Sequence, residues 1–253
     1  MVYDVLIVGG GIVGCAIARE LSSYRLSVAV VESAVDVAFG TTKANSGIIH
    51  GGHHSRTGTL RGELEWEGNQ RWEPLAQVLH IPFRRTGEVV VALDDHDVPV
   101  LDHLLEQGHE RGVTGLELWS AERLLREEPA VTDRAISALH APTTAVISPY
   151  EACFALADCA RQNGVHFHLG HPVIGLSCED GLWAVRTDGG LHDAHFVINA
   201  AGIHADRVAM MAGVGTFSIK PRKGEEYLLD RRVAGLVQRV IFPCPSPTTK
   251  GIL

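Results

Sequence analysis

Three mainly apolar stretches stand out along the chain: Val5 to Val8, Val28 to Val31, and Phe196 to Gly202. Apolar runs without a regular polar alternation are typical of strands buried on both faces of a parallel sheet. The sequence therefore predicts that these stretches form the centre of one sheet, with amphipathic helices packed beside it.

In the rest of the chain, segments with the hydrophobic spacing of helices alternate with segments that have the spacing of strands, which predicts an α/β fold. The predicted helices cover residues 12–21, 60–79, 96–111, 120–127 and 149–163, with one more ending at Met211. Further strands are predicted at 86–93, 135–147, 165–169, 173–177, 182–187 and 225–229, and a new strand is expected to begin at Gly251.

Composition narrows the class of protein. The 253 residues are 45% hydrophobic and 21% charged, with a net charge of -8 and no basic stripe, which argues against a nucleic-acid partner. The five cysteines form no C-x-x-C pair, as expected in a reducing compartment. With no apolar run of about 18 residues and no basic leader, we expect no membrane span and a cytoplasmic protein, with peripheral membrane association allowed.

A glycine-rich turn follows the first apolar run, where Gly9, Gly11 and Gly14 form G-x-G-x-x-G. The first glycine permits a tight turn, the second lets the backbone approach a pyrophosphate, and the third lets helix and strand pack closely. The N-terminus of the following helix would direct free N–H groups at the pyrophosphate. Strand, glycines, helix and second strand occur in order, which predicts a dinucleotide site rather than a turn that binds nothing.

Glu32 ends the second apolar run. Its carboxylate can accept hydrogen bonds from ribose hydroxyls and would repel a 2′-phosphate, which disfavours NADP. After Glu32 the chain enters a segment rich in Gly, Ser and Thr, residues 40–52, in place of the next strand of a nicotinamide domain. Such a segment suits a loop whose N–H and hydroxyl groups contact a ligand. A nicotinamide dehydrogenase is therefore the least favoured interpretation.

Four segments together resemble FAD-dependent oxidoreductases of the D-amino-acid oxidase superfamily, and within it the anaerobic-type glycerol-3-phosphate dehydrogenases (A subunit) and their L-2-hydroxyglutarate dehydrogenase relatives. The segments are VGGGIVG with its downstream Glu32, GTTKANSGIIHGG, SPYEACFALADCARQNGVHFH and VINAAGIHADRVAMMAG. The resemblance implies a glutathione-reductase-like, Rossmann-type FAD-binding domain with a discontinuous α+β substrate domain. The FAD-binding parts would be 1–80 and 148–212, and the substrate parts 81–147 and 213–253.

The resemblance also implies which residues hold FAD. Gly9, Gly11 and Gly14 would bind the pyrophosphate, and Glu32 the adenosine ribose. Ala44 falls where covalently flavinylated members carry histidine, so the implied FAD is non-covalent. The other implied FAD contacts are Thr41, Thr42, Asn45, Ser46, Gly47, Val173, Ala200, Ala201 and Gly202.

Two residues are candidates for catalysis. His50 lies in Ile49-His-Gly-Gly52, which resembles the same stretch of glycerol-3-phosphate dehydrogenases, and an imidazole there could take the substrate hydroxyl proton. The alternative is a histidine that only hydrogen-bonds the flavin or a carbonyl. Lys223 could stabilise reduced flavin or bind a substrate anion, the alternative being a solvated charge beside a turn.

Other histidines are interpreted more plainly. His166, His168 and His171 could suggest a metal site, but an ordinary strand is favoured and no metal is expected. His53 and His54 are interpreted as a polar surface pair.

The implied reaction moves a hydride from a secondary alcohol to flavin and passes electrons to a quinone or partner subunit. The substrate would be a small anionic 2-hydroxy or phosphorylated compound, with glycerol 3-phosphate first and L-2-hydroxyglutarate as the alternative. An amine or amino-acid oxidase of the same fold and a non-catalytic FAD-binding fragment also stay open. Family members are longer, so the chain is expected to be truncated in its substrate domain.

Overall fold

A computed structural model describes residues 2–245. Its strands are, in chain order, β1 (Val2–Val8), β2 (Val28–Glu32), β3 (Ile48–Ile49), β4 (Phe83–Arg85), β5 (Glu88–Ala92), β6 (Glu117–Ser120), β7 (Ser137–Ala141), β8 (Ala145–Ile147), β9 (His166–Leu169), β10 (Val173–Glu179), β11 (Leu182–Thr187), β12 (Gly190–Asn199) and β13 (Val240–Pro243). Its α-helices are α1 (Ile12–Leu21), α2 (Leu60–Val78), α3 (Val98–Glu110), α4 (Ala121–Glu127), α5 (Pro149–Gln162) and α6 (Ala205–Met211).

These elements form two compact units, each described by itself. The first unit holds residues 2–46, 79–81 and 148–226, and the second holds residues 47–78, 82–147 and 227–245. The division into cofactor and substrate domains made above is a functional one and stays a prediction. The strand expected from Gly251 lies outside the described residues.

The first unit is built on a six-stranded sheet in the order β10-β11-β12-β1-β2-β9. Strands β12, β1, β2 and β9 run parallel, and β10 to β12 form an antiparallel meander. The three apolar stretches of the sequence therefore lie side by side, with Leu6 and Ile7 completely buried. Ala18 of α1 and Ala160 of α5 pack in the same core as Ile7, because small side chains let both helices approach the sheet.

The second unit contains two smaller sheets, β13-β5-β7-β6 and β3-β8-β4. Strand β5 lies between β13 and β7, and all of its residues are buried. Leu101 and Leu104 of α3 pack against Val90 and Leu139 to form the core beside this sheet. Strand β5 begins with one charged residue, Glu88, which is fully buried and is described below.

The α/β class is confirmed, together with the helices over 12–21, 60–79 and 149–163 to within a residue. Ser120 caps α4 as its position suggests, its Oγ accepting from the N–H of Arg123 at 3.3 Å. The strand predicted over 225–229 is wrong, since these residues form neither helix nor strand and Tyr227 and Leu228 are exposed. No helix among the described residues is both long and apolar enough to cross a membrane.

Candidate functional site: a glycine turn and a buried histidine cluster

The G-x-G-x-x-G turn leaves no room for side chains. Gly9 has φ +112°, a conformation that L side chains rarely adopt, and a Cβ there would collide with the carbonyl oxygen of Ala200. A Cβ on Gly14 would collide with the carbonyl oxygen of Gly9, and one on Gly11 would lie 3.2 Å from Thr42 Oγ1. Glycine at these positions therefore lets β12 and the start of α1 pack closely against the turn.

The carboxylate of Glu32 is fixed next to this turn. Glu32 Oε2 accepts from the N–H of Gly10 at 2.6 Å, and Oε1 accepts from the N–H of Ala34 at 2.8 Å and the hydroxyl of Ser33 at 3.0 Å. The side chain is half-buried at the carboxyl end of β2. Ligands of open α/β sheets bind outside the carboxyl ends of the strands, which is where Glu32 and the glycine turn lie.

The loop after β2 adds polar groups to the same region. Thr42 is buried, and its Oγ1 accepts from the N–H of Ile12 at 3.0 Å, so it caps the first turn of α1. Asn45 Nδ2 donates to the carbonyls of Thr41 at 3.2 Å and Thr42 at 2.8 Å, which shapes the loop. Thr41 and Ser46 are exposed. Of the predicted contacts in this loop, Thr42 is thus brought to the N-terminus of α1.

The FAD contacts predicted after residue 170 lie in two places, one beside the glycine turn and one at the edge of the sheet. Ala200 continues β12, and its N–H donates to the carbonyl of Val8 at 2.9 Å, so Ala200 and Ala201 lie against the glycine turn. Gly202 follows at φ +56°. Val173 begins β10, at the far edge of the meander.

These residues fit an FAD pyrophosphate and ribose. The glycines keep the turn free of side chains, and the start of α1 carries helix N–H groups, of which Thr42 satisfies only that of Ile12. Glu32 Oε2 also retains capacity to accept a hydroxyl, because a carboxylate oxygen has two lone pairs and Oε2 accepts only the N–H of Gly10 among the described hydrogen bonds.

The second unit holds a buried cluster made of His50, His53, His54 and Glu88. Gly47, at φ +66°, precedes β3, and its carbonyl accepts from the N–H of Ile147 at 2.9 Å, which anchors the strand that leads to His50. The rings of His50 and His54 lie 5.2 Å apart, and His50 also stacks on Phe242 at 6.0 Å. His50 Nδ1 is buried without a hydrogen-bond partner.

Glu88 organises the buried cluster. Its Oε1 lies 2.5 Å from His54 Nε2 and 3.1 Å from His53 Nε2, and its Oε2 accepts from Thr144 Oγ1 at 2.7 Å. Glu88 and His53 are fully buried, whereas the His54 side chain is 19% exposed. A charge buried this deeply is tolerated only when it is paired and hydrogen-bonded, and here both oxygens have partners.

This arrangement sets the protonation states. Burial alone would raise the pKa of Glu88, but the charge of His54 and the contacts with both histidines outweigh burial and hold it well below its usual range. Burial alone would lower the pKa of His54, but the Glu88 charge raises it above its ordinary value. The pKa of His50 is lowered by burial and then by the charge of His54. The buried cluster thus favours the protonated form of His54 beside Glu88 and the neutral form of His50.

Two interpretations from the sequence need comment here. The polar surface pair at His53 and His54 is wrong, because Glu88 draws both rings inward. Sequence reasoning also missed Glu88 and Thr144, although a single acid in the apolar strand Glu88-Val-Val-Val-Ala92 was a usable signal. Lys223 lies on a segment without helix or strand; its side chain is 81% exposed and pairs with Glu225. No described contact joins Lys223 to the glycine turn.

A second group of histidines lies in the first unit. His168, His171 and His192, which we call the histidine triad, come from β9, the following turn and β12. Their ring centroids are 4.4 Å (His168 to His192), 5.8 Å (His168 to His171) and 6.0 Å (His171 to His192) apart. His192 comes from a remote strand, and the sequence pattern could not place it there.

The chain is similar in sequence and structure to several known oxidoreductases. Glycerol 3-phosphate dehydrogenase of Caloramator mitchellensis is 42% identical over 99% of this chain and 52% of its own length. L-2-hydroxyglutarate dehydrogenase of Indibacter alkaliphilus is 32% identical over 98% of this chain and 62% of its own length. The dithionite-reduced L-alpha-glycerophosphate oxidase of Mycoplasma pneumoniae, solved with FAD bound, superposes with a TM-score of 0.88 at 28% identity, covering 100% of this chain and 67% of that one.

The chain thus spans roughly half to two thirds of the length of these relatives. The family described as DAO, FAD dependent oxidoreductase, matches residues 4–252. The resemblance seen in the four sequence segments is confirmed, and the chain belongs to the DAO family of FAD-dependent oxidoreductases.

Proposed function

We propose that this chain carries the FAD-binding part of an oxidoreductase that oxidises glycerol 3-phosphate, holding FAD non-covalently. The observation that carries the proposal is the side-chain-free glycine turn next to the fixed carboxylate of Glu32, at the carboxyl ends of adjacent parallel strands. Gly9, Gly11 and Gly14 would hold the pyrophosphate and Glu32 the ribose.

Further residues complete the proposed FAD site. Backbone and side-chain groups of the loop after β2 and of the segment after β12 would line the remainder of the cofactor, while Val173 would contact adenine through its backbone. These assignments rest on position in the family pattern. The residues concerned are Thr41, Thr42, Asn45, Ser46, Gly47, Ala200, Ala201 and Gly202.

FAD, when bound, supplies the acceptor for the hydride of a secondary alcohol. We assign to His50 the removal of the hydroxyl proton at Nε2. A base must be unprotonated before it acts, and burial together with the cationic His54 favours neutral His50 at pH 7. Glu88 supports this role because it holds His54 by its Nε2.

Lys223 is the proposed anion-binding cation of the site. Its ammonium pairs with Glu225 two residues away, and both side chains are mostly exposed. Such surface pairs contribute little stability, so the ammonium can exchange Glu225 for a substrate phosphate. Lys223→Gln should raise KM for glycerol 3-phosphate more than it changes kcat.

Glycerol 3-phosphate is the first candidate substrate because the 42%-identical relative is a glycerol 3-phosphate dehydrogenase. L-2-hydroxyglutarate is the second, favoured by the 32%-identical relative. Electrons would leave to a quinone or a partner subunit. We place the protein in the cytoplasm, peripheral to the membrane when a quinone is the acceptor, and support this with five cysteines that form no disulfide.

The test is anaerobic reduction of the flavin by each substrate in the FAD-loaded protein. Glycerol 3-phosphate should bleach the flavin band, and His50→Gln should slow this by about 100-fold or more, as expected for loss of a general base. His103→Gln, an exposed histidine of α3, is the matched control and should react as the wild type does. Bleaching by L-2-hydroxyglutarate alone would contradict the assignment of glycerol 3-phosphate as the substrate. An unchanged rate of flavin reduction in His50→Gln would contradict the assignment of His50 as the base.

A further inference from the structure

The histidine triad of the first unit has the composition of a metal site. His168, His171 and His192 each offer one ring nitrogen, and these three nitrogens all lie within 4.8 Å of one another. Imidazole nitrogens bind Zn²⁺ at about 2.0–2.1 Å, so small side-chain rotations would bring three such nitrogens around one ion. The triad takes no part in the proposed FAD or substrate chemistry.

Two nitrogens of the triad have no partner in the fold. His171 Nδ1 and His192 Nε2 are buried, and neither makes a hydrogen bond. Leaving a buried polar atom unsatisfied costs about 1–3 kcal/mol, so such atoms call for a ligand. Two of them on neighbouring rings point to one shared ligand that accepts nitrogen lone pairs.

Two rings of the triad are contacted by neighbouring residues, His168 by Tyr3 and His171 by Gly189. Tyr3 Oη lies 3.0 Å from His168 Nε2 and 3.1 Å from His166 Nδ1, so Nδ1 is the His168 nitrogen that Tyr3 does not contact. A hydrogen bond on the second ring nitrogen is what orients metal-bound histidines. The His171 ring lies against Gly189, where a Cβ would collide with it.

We propose that His168, His171 and His192 bind a divalent transition-metal ion such as Zn²⁺, with Tyr3 as the group that orients His168. Three imidazoles without a carboxylate suit Zn²⁺, Cu²⁺ or Ni²⁺ rather than Mg²⁺ or Ca²⁺, which prefer oxygen. Three protein ligands leave a fourth position for water or another small ligand.

Calorimetric titration of the tag-free protein with ZnCl₂ tests this site. The wild type should bind Zn²⁺, and His192→Gln should weaken binding by at least about 100-fold, while Tyr3→Phe, which removes only the orienting hydroxyl, should weaken it about 10-fold. His195→Gln is the matched control, an exposed histidine three residues along β12, and should bind as the wild type does. Far-UV circular dichroism verifies that each variant is folded.

The buried cluster provides the decisive second control, because His50, His54 and Glu88 also bring ligand atoms within 4.8 Å of one another. His54→Gln should leave the affinity for Zn²⁺ unchanged. The proposal is overturned if the wild type binds no Zn²⁺, if His192→Gln binds like the wild type, or if His54→Gln abolishes binding.

Discussion

The two histidine groups described above differ in the presence of a carboxylate hydrogen-bonded to the rings. In the buried cluster Glu88 contacts two of three histidines and raises the pKa of one of them, His54. Among residues 2–245 no carboxylate forms a hydrogen bond or ion pair with the histidine triad. Burial and the neighbouring rings lower the pKa of His168 and His192, so those rings stay neutral. One buried acid thus separates a histidine group suited to proton transfer from one suited to metal binding.

The largest expected effect comes from removing that acid. Glu88→Gln should reduce the free energy of unfolding by about 3 kcal/mol or more, because breaking a buried ion pair leaves an uncompensated partner. Urea unfolding measures this. Glu67→Gln is the control, since Glu67 pairs with Arg71 on the exposed side of α2, and its stability should match the wild type. A Glu88→Gln protein as stable as the control would mean that the acid does not organise the cluster.

A smaller effect is expected from the hydroxyl that completes the site of Glu88. Thr144→Val should cost about 2 kcal/mol, since Thr144 is fully buried and donates to a charged oxygen at 2.7 Å. The same unfolding measurement in the Glu88→Gln background should show a much smaller loss. Equal losses in both backgrounds would show that Thr144 acts independently of the carboxylate.

The three histidines of the buried cluster should differ in their pH dependence. NMR titration should find His54 with a pKa above its ordinary 6.5, and His50 and His53 below it. Because the pKa of His54 is raised in the folded state, protonation of His54 stabilises the fold. This stabilisation is complete below pH 6.5 and is lost as the pH rises through the raised pKa. Glu88→Gln should lower the pKa of His54 and abolish this alkaline loss. Retention of the raised pKa in that variant would contradict the pairing.

The smallest expected change in the free energy of unfolding comes from a substitution in the histidine triad. His192→Gln should change the free energy of unfolding in metal-free buffer by less than about 0.5 kcal/mol, because His192 is half-buried and its Nε2 makes no hydrogen bond. Urea unfolding in the presence of a chelator checks this. A large loss without metal would mean that the ring supports the fold itself.

The comparison also shows which features the sequence could predict. The glycine turn and Glu32 lie within one strand-helix-strand unit, so local spacing was enough to predict their geometry. Glu88 meets His54 from 34 residues away and Thr144 from 56, and no periodicity encodes those contacts. Similarly, β13 pairs in parallel with the distant β5 and was missed, while the predicted strand over 225–229 has no partner strand among the described residues.

The most direct test of the account is an FAD titration of the purified protein, followed by its visible absorption spectrum and by acid precipitation. The account predicts a structured flavin band that acid releases into solution. Glu32→Ala should weaken FAD binding by about 10-fold or more, from loss of charged hydrogen bonds to the ribose, while the control Glu20→Ala in α1 should bind normally. Absence of a flavin band, flavin retained by the acid precipitate, or equal affinity in both variants would contradict it.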